Sequence, residues 1–212
     1  MTDILDTRFE GKDVELKDHR VKIGDDMNLT AKEPTLRRVL VGVGWDLNTF
    51  NADVIDLDFS AFLIGKDGLT RVDEDFIFYN HSEACNGAIR HTGDSRTGAG
   101  DGDDESMLID LHGIPFDVMR ILFVVSAYKG EEKEQNLGMV RNAYLRVVNA
   151  DNAHEMARYQ MDSDLTDRTE TGVIVAALDR EGPKWHFRPQ GEFVQGGLAA
   201  MATRFGLVIA QQ

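Results

Sequence analysis

The sequence predicts a mainly β protein, a β-sandwich of two antiparallel sheets with about ten strands and a few short helices. Three observations support this fold class. Short alternating or apolar segments recur along the chain and are separated by turn residues. Residues 121–128 are almost all apolar, as expected of a central strand buried on both faces. With 212 residues, the chain is long enough to enclose a sizeable core in a single domain.

Individual strands follow from the period-two spacing of apolar residues. Val39, Val41 and Val43 alternate with residues that face the other way, and Lys66-Asp67-Gly68 is typical of a turn after the next strand. Further strands are predicted at residues 76–79, 105–111, 142–149, 154–161 and 171–178, a loop is predicted from Asn80 to about residues 88–91, and helical spacing is found at residues 198–205. We therefore predict an N-terminal extension at residues 1–19 and a single sandwich domain at residues 20–212.

Composition narrows the possible functions. The formal charge of −14 disfavours duplex nucleic acid as a direct partner. No apolar run reaches the roughly 18 residues of a membrane-spanning helix. The acidic start of the chain lacks the features of a signal peptide, and Cys85 has no second cysteine to pair with. These features lead us to expect a cytoplasmic protein that does not span a membrane.

Two acids lie on the strand predicted around residue 57. Asp56 and Asp58 point to one side of this strand, about 6.5–7 Å apart, because strand side chains repeat every two residues. Beyond Ser60 the same side becomes apolar at Phe62 and Ile64. The pattern indicates a strand that enters the core from an acidic rim.

Residues 93–105 form the most acidic loop of the chain. This segment holds five acids and four glycines in thirteen residues. Carboxylates and inward-facing carbonyls are the oxygen ligands that Ca²⁺ and Mg²⁺ prefer. The loop is not an EF-hand, since Ser106 and His112 stand where that motif needs its glycine and its bidentate glutamate. It could be a solvated acidic turn, but together with the acidic strand it indicates a divalent-cation site drawn from separate segments.

Two other acidic positions have more than one interpretation. Asp46, at the end of a predicted strand, is either a metal ligand or a turn cap. Gly24-Asp25-Asp26 could be a second acidic site, but we interpret it as a plain turn.

The sequence also resembles the tellurium-resistance, or TerD, family of bacterial stress proteins, to which slime-mould cAMP-binding proteins are similar. The resemblance covers about residues 20–206. It is carried, in family order, by Val41-Gly42-Val43-Gly44-Trp45-Asp46, Asp56-Leu57-Asp58-Phe59-Ser60-Ala61-Phe62, Phe76-Ile77-Phe78-Tyr79-Asn80, residues 93–105, Phe123-Val124-Val125-Ser126-Ala127-Tyr128, Gln135-Asn136-Leu137-Gly138, residues 142–149 and Gly196-Gly197-Leu198. It implies a β-sandwich that binds Ca²⁺ at acidic loops and acts in resistance to tellurite and other stresses.

From the acidic segments and this resemblance we predict a site for one or two Ca²⁺ ions. Its predicted ligands are Asp56, Asp58, Asn80, Asp94, Gly100, Asp101, Asp103, Asp104 and Glu105. The family usually has a second asparagine where His81 stands, so a role for position 81 stays open.

We expect a calcium-dependent binding or scaffold module rather than a catalyst. Unidentified protein partners are expected, other tellurium-resistance proteins near the membrane among them. Two alternatives stay open: a Mg²⁺- or Ca²⁺-dependent phosphoester hydrolase, and a Ca²⁺-dependent module that binds membranes or glycans. Direct reduction of tellurite is not expected, because one cysteine cannot cycle to an internal disulfide.

Overall fold

The computed structural model describes residues 12–13, 19–46, 55–93 and 102–207. Within these ranges the chain forms two sheets of seven strands each and a few short helices. The strands in chain order are β1 (Lys12–Asp13), β2 (Arg20–Val21), β3 (Asp25–Asn28), β4 (Arg38–Asp46), β5 (Leu57–Ile64), β6 (Phe76–Ile77), β7 (Glu83–Ala84), β8 (Ile89–Gly93), β9 (Glu105–Asp110), β10 (Arg120–Ala127), β11 (Arg141–Asn149), β12 (His154–Gln160), β13 (Gly172–Glu181) and β14 (Lys184–Val194). The predicted fold class, a mainly β sandwich with few helices, is confirmed.

The two sheets are largely antiparallel. Sheet one has the order β1-β3-β14-β13-β10-β5-β6, and sheet two has the order β2-β12-β11-β4-β9-β8-β7. The short strands β1 and β2 depart from this pattern, because each pairs in parallel with its neighbour, β3 and β12 respectively. Four of the fourteen strands, β1, β2, β6 and β7, are only two residues long. The ten longer strands account for the number expected from the sequence.

Helices are short and lie between or after strands. They are α1 (Leu29–Lys32), α2 (Asp162–Leu165) and α3 (Gly197–Arg204), with single 3-10 turns at Asp73–Asp75 and Leu137–Met139. Helix α3 follows the spacing predicted at residues 198–205. Its residues Met201 and Ala202 are fully buried against the outer face of sheet one.

The core lies between the sheets and extends to one outer face. On β5, Leu57, Phe59, Ala61 and Leu63 point into the space between the sheets, as their spacing predicts. Phe62 and Ile64 belong to a second apolar cluster that α3 covers. The strand is therefore apolar on both sides only in its C-terminal half, which leaves its N-terminal half at the edge of the sandwich.

Several strand ends meet at this edge, which we call the acidic rim: Asp46, Asp56, Asp58, Asp103, Asp104 and Glu105. Strand β5 begins there, and its partner β10 ends there, with Ser126 opposite Asp58. In sheet two, β4 ends at Asp46 opposite the start of β11, while Glu105 at the start of β9 pairs with Val43. The sheet registers therefore bring acids from distant parts of the sequence to one end of the molecule.

Candidate metal centre at the acidic rim

Glu105 joins the two sheets. It starts β9, where it shares the inward face with Met107 and Ile109, and it is 4% exposed. Its Oε2 accepts a hydrogen bond from the backbone N–H of Phe59 in the other sheet at 2.9 Å. The same oxygen lies 3.1 Å from Nε2 of His91. The carboxylate of Glu105 therefore fixes the position of β5, and hence of Asp58, relative to β9.

Asp104 is a buried acid among other acids. Its Oδ2 accepts a hydrogen bond from the backbone N–H of Trp45 at 2.8 Å, and its own backbone N–H donates a hydrogen bond to the carbonyl of Val43 at 2.8 Å. Burial raises the pKa of Asp104, and the neighbouring carboxylates of Asp46 and Asp103 raise it further, against the opposing effect of the Trp45 hydrogen bond. A like-charged group of this kind is the setting in which a bound cation lowers the electrostatic cost.

Asp103 is held by a cation of the protein itself. Its carboxylate accepts hydrogen bonds from Nε of Arg146 at 2.8 Å, from Nη2 of Arg146 at 3.0 Å and from the hydroxyl of Tyr144 at 3.0 Å. It also lies directly over Gly42, where an added Cβ would be 2.0 Å from Oδ2. Asp103 thus reaches the rim with its charge already opposed by Arg146.

Asp56 and Asp58 lie on the sheet-one side of the rim. The carbonyl of Asp56 accepts the backbone N–H of Tyr128 at 2.8 Å. Burial raises the pKa of Tyr79, and the negative charge of Asp58 raises it further. Asn80 is exposed in the turn that follows Tyr79.

Two exposed aromatic side chains next to Asp58 were missed by the sequence reasoning. Tyr79 is 50% exposed and Tyr128 is 36% exposed. Their rings meet edge to face, with centroids 6.4 Å apart. Nζ of Lys133 lies 5.0 Å from the centroid of the Tyr128 ring. The motif containing Tyr79 is visible in the sequence, but only the structure shows that its ring meets that of Tyr128.

The described residues therefore include only part of the predicted ligand set. Asp94, Gly100 and Asp101 lie outside the described residues, so their role stays a prediction. Asp56, Asp58, Asp103, Asp104 and Glu105 lie at one end of the sandwich, but within the described ranges they do not offer three ligand atoms within 4.8 Å of one another.

Across the described residues, the acids and histidines that do meet this spacing are Asp26, Glu181 and His186. Sequence reasoning treated Asp25 and Asp26 as part of a turn, whereas the turn ends at Gly24 and both acids belong to β3. The i, i+2 spacing of His186 and Arg188 on one strand face was the signal that could have pointed to this second charged group.

None of the helices in the described ranges has the length and apolar character needed to cross a bilayer.

Comparison with known proteins finds related sequences that match most of this chain. A model of the TerD domain matches residues 18–205. The chain is 42% identical over 184 residues to the tellurium resistance protein TerD of Serratia marcescens, covering 87% of this chain and 95% of that protein. It is 40% identical over 187 residues to general stress protein 16U of Bacillus subtilis, covering 88% of this chain and 96% of the relative. These relatives are named as resistance or stress proteins, not as enzymes.

A solved structure shares the fold. It is described as a homologue of telluride resistance protein (TerD) from Streptomyces coelicolor A3(2), with a TM-score of 0.65 at 21% identity, and the match covers 82% of this chain and 99% of that one. The family model and the sequence matches over nearly the whole length of the relatives show that the chain belongs to the TerD domain family.

Proposed function

We propose that this protein is a calcium-binding stress-response protein that acts as a Ca²⁺-dependent binding or scaffold module rather than as a catalyst. Its family membership and the names of its relatives support the stress-response part of the proposal. The calcium part rests on the chemistry of the acidic rim.

The observation that carries the proposal is the environment of Asp104. This acid is 8% exposed and lies near the carboxylates of Asp46 and Asp103. Glu105, the next residue, is buried as well. Several partly desolvated carboxylates at one strand end repel one another, and a divalent cation coordinated by oxygen would reverse that cost.

The loop at residues 94–101 would complete the ligand set. Gly93, just before these residues, pairs with Ser106 in sheet two, and Asp103, shortly after them, lies at the rim. Both ends of the loop are therefore fixed at the rim, which supports Asp94, Gly100 and Asp101 as further ligands. Ca²⁺ suits such a site better than Mg²⁺, because it accepts six to eight oxygen ligands in flexible geometry.

The proposal is tested by calorimetric titration of the native chain with CaCl₂ and with MgCl₂. Asp58→Asn and Asp104→Asn remove one charge each, and an asparagine at position 104 can still accept the Trp45 hydrogen bond. Asp73→Asn is the matched control, because Asp73 is exposed at the start of a 3-10 turn away from the rim. We expect Ca²⁺ binding that is tighter than Mg²⁺ binding, weakened at least tenfold by the rim variants and unaffected by the control. Equal binding by all four proteins would refute the proposed site.

The same site favours a second candidate function, Ca²⁺-dependent binding of membranes or glycans. Modules of this kind place aromatic groups beside the ion, and Tyr79 and Tyr128 lie on the Asp58 side of the rim with their rings exposed. Co-sedimentation with anionic vesicles and a glycan-binding assay, each in CaCl₂ and in EDTA, test this function. Calcium-dependent binding that Tyr79→Ala abolishes would support it, and binding that is indifferent to both calcium and Tyr79 would exclude it.

A hydrolase is less well supported. Phosphoester chemistry needs a cationic group free to clamp the phosphate, whereas Arg146 at the rim is engaged by Asp103 and Glu155. A screen of phosphoesters with Mg²⁺ and Mn²⁺ tests this alternative, and turnover that Asp104→Asn abolishes would establish it.

Partner and compartment complete the proposal. We propose a cytoplasmic protein whose partners include other tellurium-resistance proteins. Pull-downs in CaCl₂ and in EDTA, with the native chain and Asp104→Asn as baits, test the calcium dependence. Partners captured only by the native chain in calcium would support the scaffold role, whereas identical captures under all conditions would count against it.

A further inference from the structure

A second charged group lies on sheet one, at the opposite end of the sandwich from the acidic rim. It contains Asp26 of β3, Glu181 at the end of β13 and His186 of β14. Strand β13 meets β10 here at Arg120, seven residues along the chain from Ala127 at the rim end. The side chains of Asp26 and His186 are 9% and 10% exposed, whereas that of Glu181 is 53% exposed. The group is therefore buried on one side and open to water on the other.

The imidazole of His186 has one ring nitrogen occupied and one open. Its Nδ1 lies 2.8 Å from Oδ1 of Asp26, which is a hydrogen bond. Its Nε2 is buried and has no hydrogen-bond partner within the described ranges, although Oε2 of Glu181 is 3.6 Å away. Buried polar nitrogens nearly always have a hydrogen-bond partner, so this atom calls for an explanation.

Arg188 organises the two acids around the histidine. It donates to Oδ2 of Asp26 at 2.7 Å and to Oε1 of Glu181 at 2.5 Å, and its other terminal nitrogen donates to Asp179 at 2.9 Å. Each of the first two acids thus gives one oxygen to Arg188 and has its other oxygen on the His186 side. Burial raises the pKa of Asp26, but hydrogen bonds from His186 and Arg188 outweigh that effect and hold it below its ordinary value.

We propose that this group binds a divalent transition-metal ion of the Zn²⁺ class, with Nε2 of His186 and Oε2 of Glu181 as direct ligands. For metal–ligand bonds of 2.0–2.2 Å, two ligands of a tetrahedral ion lie about 3.4 Å apart. The separation of 3.6 Å between Nε2 and Oε2 is close to that value. Water would fill the remaining coordination positions, since the Glu181 side chain is 53% exposed.

Asp26 and Arg188 supply the supporting contacts that metal sites need. A histidine that binds a metal through one nitrogen usually donates the other N–H to a carboxylate, which is the relation between His186 and Asp26. Carboxylate ligands are themselves hydrogen-bonded, as Glu181 is by Arg188. The positive charge of Arg188 lowers the affinity for any cation, but Asp179 and Asp26 share that charge.

The imidazole ligand separates this site from the acidic rim. Imidazole nitrogen suits Zn²⁺, Co²⁺ and Ni²⁺, whereas Ca²⁺ prefers ligands that are all oxygen. The two sites can therefore be titrated independently in one protein.

The test is a titration of the native chain with ZnCl₂ in excess CaCl₂, followed by calorimetry, together with CoCl₂ binding followed by visible absorption. Glu181→Gln and His186→Gln remove one direct ligand each. Glu192→Gln is the matched control, because Glu192 lies on β14 with His186, has a side chain 48% exposed and pairs with Arg204, much as Glu181 pairs with Arg188. We expect Zn²⁺ binding at least tenfold weaker in the two ligand variants and unchanged in the control.

Glu181→Gln keeps the test decisive if His186→Gln does not fold, because Glu181 is half-exposed. Nitrogen NMR of the imidazoles adds a readout at the atom itself, and Zn²⁺ should shift Nε2 of His186. The proposal fails if the native chain binds no Zn²⁺, if Glu181→Gln binds it as tightly as the native chain, or if Glu192→Gln weakens it equally.

Discussion

Asp104 at the acidic rim and Asp26 on β3 are buried to the same extent, each 8% exposed, yet their pKa values shift in opposite directions. Burial acts to raise both. At Asp104 burial prevails and the acids Asp46 and Asp103 reinforce it, so the pKa rises. At Asp26 the hydrogen bonds from His186 and Arg188 prevail, so the pKa falls. The difference shows that neighbouring charges, more than depth, decide whether a buried carboxylate stays ionised without help.

We therefore call the charges around Asp26 the completed network and the charges around Asp104 the incomplete network. Asp26 has a cationic partner in the protein. Asp104 has a backbone donor and like-charged neighbours among its described contacts, so a cation from solution would stabilise its negative charge further. Substitutions that remove or neutralise charges in each network test this difference.

Removing the cation of the completed network should cost the most stability. Arg188→Met leaves Asp26 buried without its guanidinium partner, and we expect a loss of about 3–5 kcal/mol in the free energy of unfolding. Arg204→Met is the matched control, because Arg204 pairs with Glu192 at the surface and both side chains are about half-exposed, so a loss of about 0.2–1 kcal/mol is expected. Urea unfolding measures both, and equal losses would contradict the comparison.

Asp103 can lie against Arg146 because Gly42, directly beneath its carboxylate, has no side chain. Gly42→Ala places a methyl group where the Asp103 carboxylate lies, which displaces that carboxylate from Arg146. We expect a loss of about 1–3 kcal/mol, the usual cost of overpacking. In a double-mutant cycle with Asp103→Ala, the loss from Gly42→Ala should shrink, because the clashing group is gone. Strictly additive losses would show that the two residues do not interact in this way.

Neutralising the incomplete network should stabilise the calcium-free protein. Asp104→Asn keeps an acceptor for the N–H of Trp45 and removes the repulsion from Asp46 and Asp103. We expect a gain on the order of 1 kcal/mol in EDTA, which raises the melting temperature by about 2–4 °C. Calorimetric melts in EDTA check this gain. A lower melting temperature would mean that the charge of Asp104 is compensated in the calcium-free protein.

Glu155, which pairs with Arg146 and Arg158, should make the stability of the protein depend on pH. The hydrogen bond from Arg158 lowers the pKa of Glu155 below its ordinary value of 4.5, and burial only partly opposes it. A depressed pKa stabilises the folded state at pH values above the ordinary pKa, and that contribution is lost as the pH falls through the folded pKa. Glu155→Gln should therefore cost up to about 1 kcal/mol at neutral pH, and the cost should shrink below pH ~4. Unfolding measured across this pH range tests the sign, and a cost that grows on acidification would be inconsistent with it.

The strands could be predicted because their signal is local. The alternation of Val39, Val41 and Val43 marks the buried face of β4, and Glu105 shares the inward side of β9 with Met107 and Ile109. Each pattern needs only a few consecutive residues, and the family motifs then placed the acidic segments at one end of the fold.

The charge partners could not be predicted in the same way. Arg146 reaches Asp103 only because β11 and β9 both pair with β4, with Gly42 opposite both Arg146 and Ser106. Arg188 reaches Asp26 across 162 positions of sequence. Contacts of this range depend on sheet register, which single-segment patterns do not encode. Sequence therefore identified the acids at the rim, but it did not show which of them already have a cationic partner.

The proposal that calcium supplies a cationic partner for Asp104 at the acidic rim is tested by thermal melts in excess EDTA and in excess CaCl₂. The proteins compared are the native chain and the double variant Asp58→Asn with Asp104→Asn. An ion bound only by the folded state at a hundredfold excess over its Kd stabilises by about 2.7 kcal/mol, or roughly 5–10 °C for a domain of this size. We predict a rise of this size in the native chain and little change in the variant. An unchanged native melting temperature with no heat of binding would contradict the account.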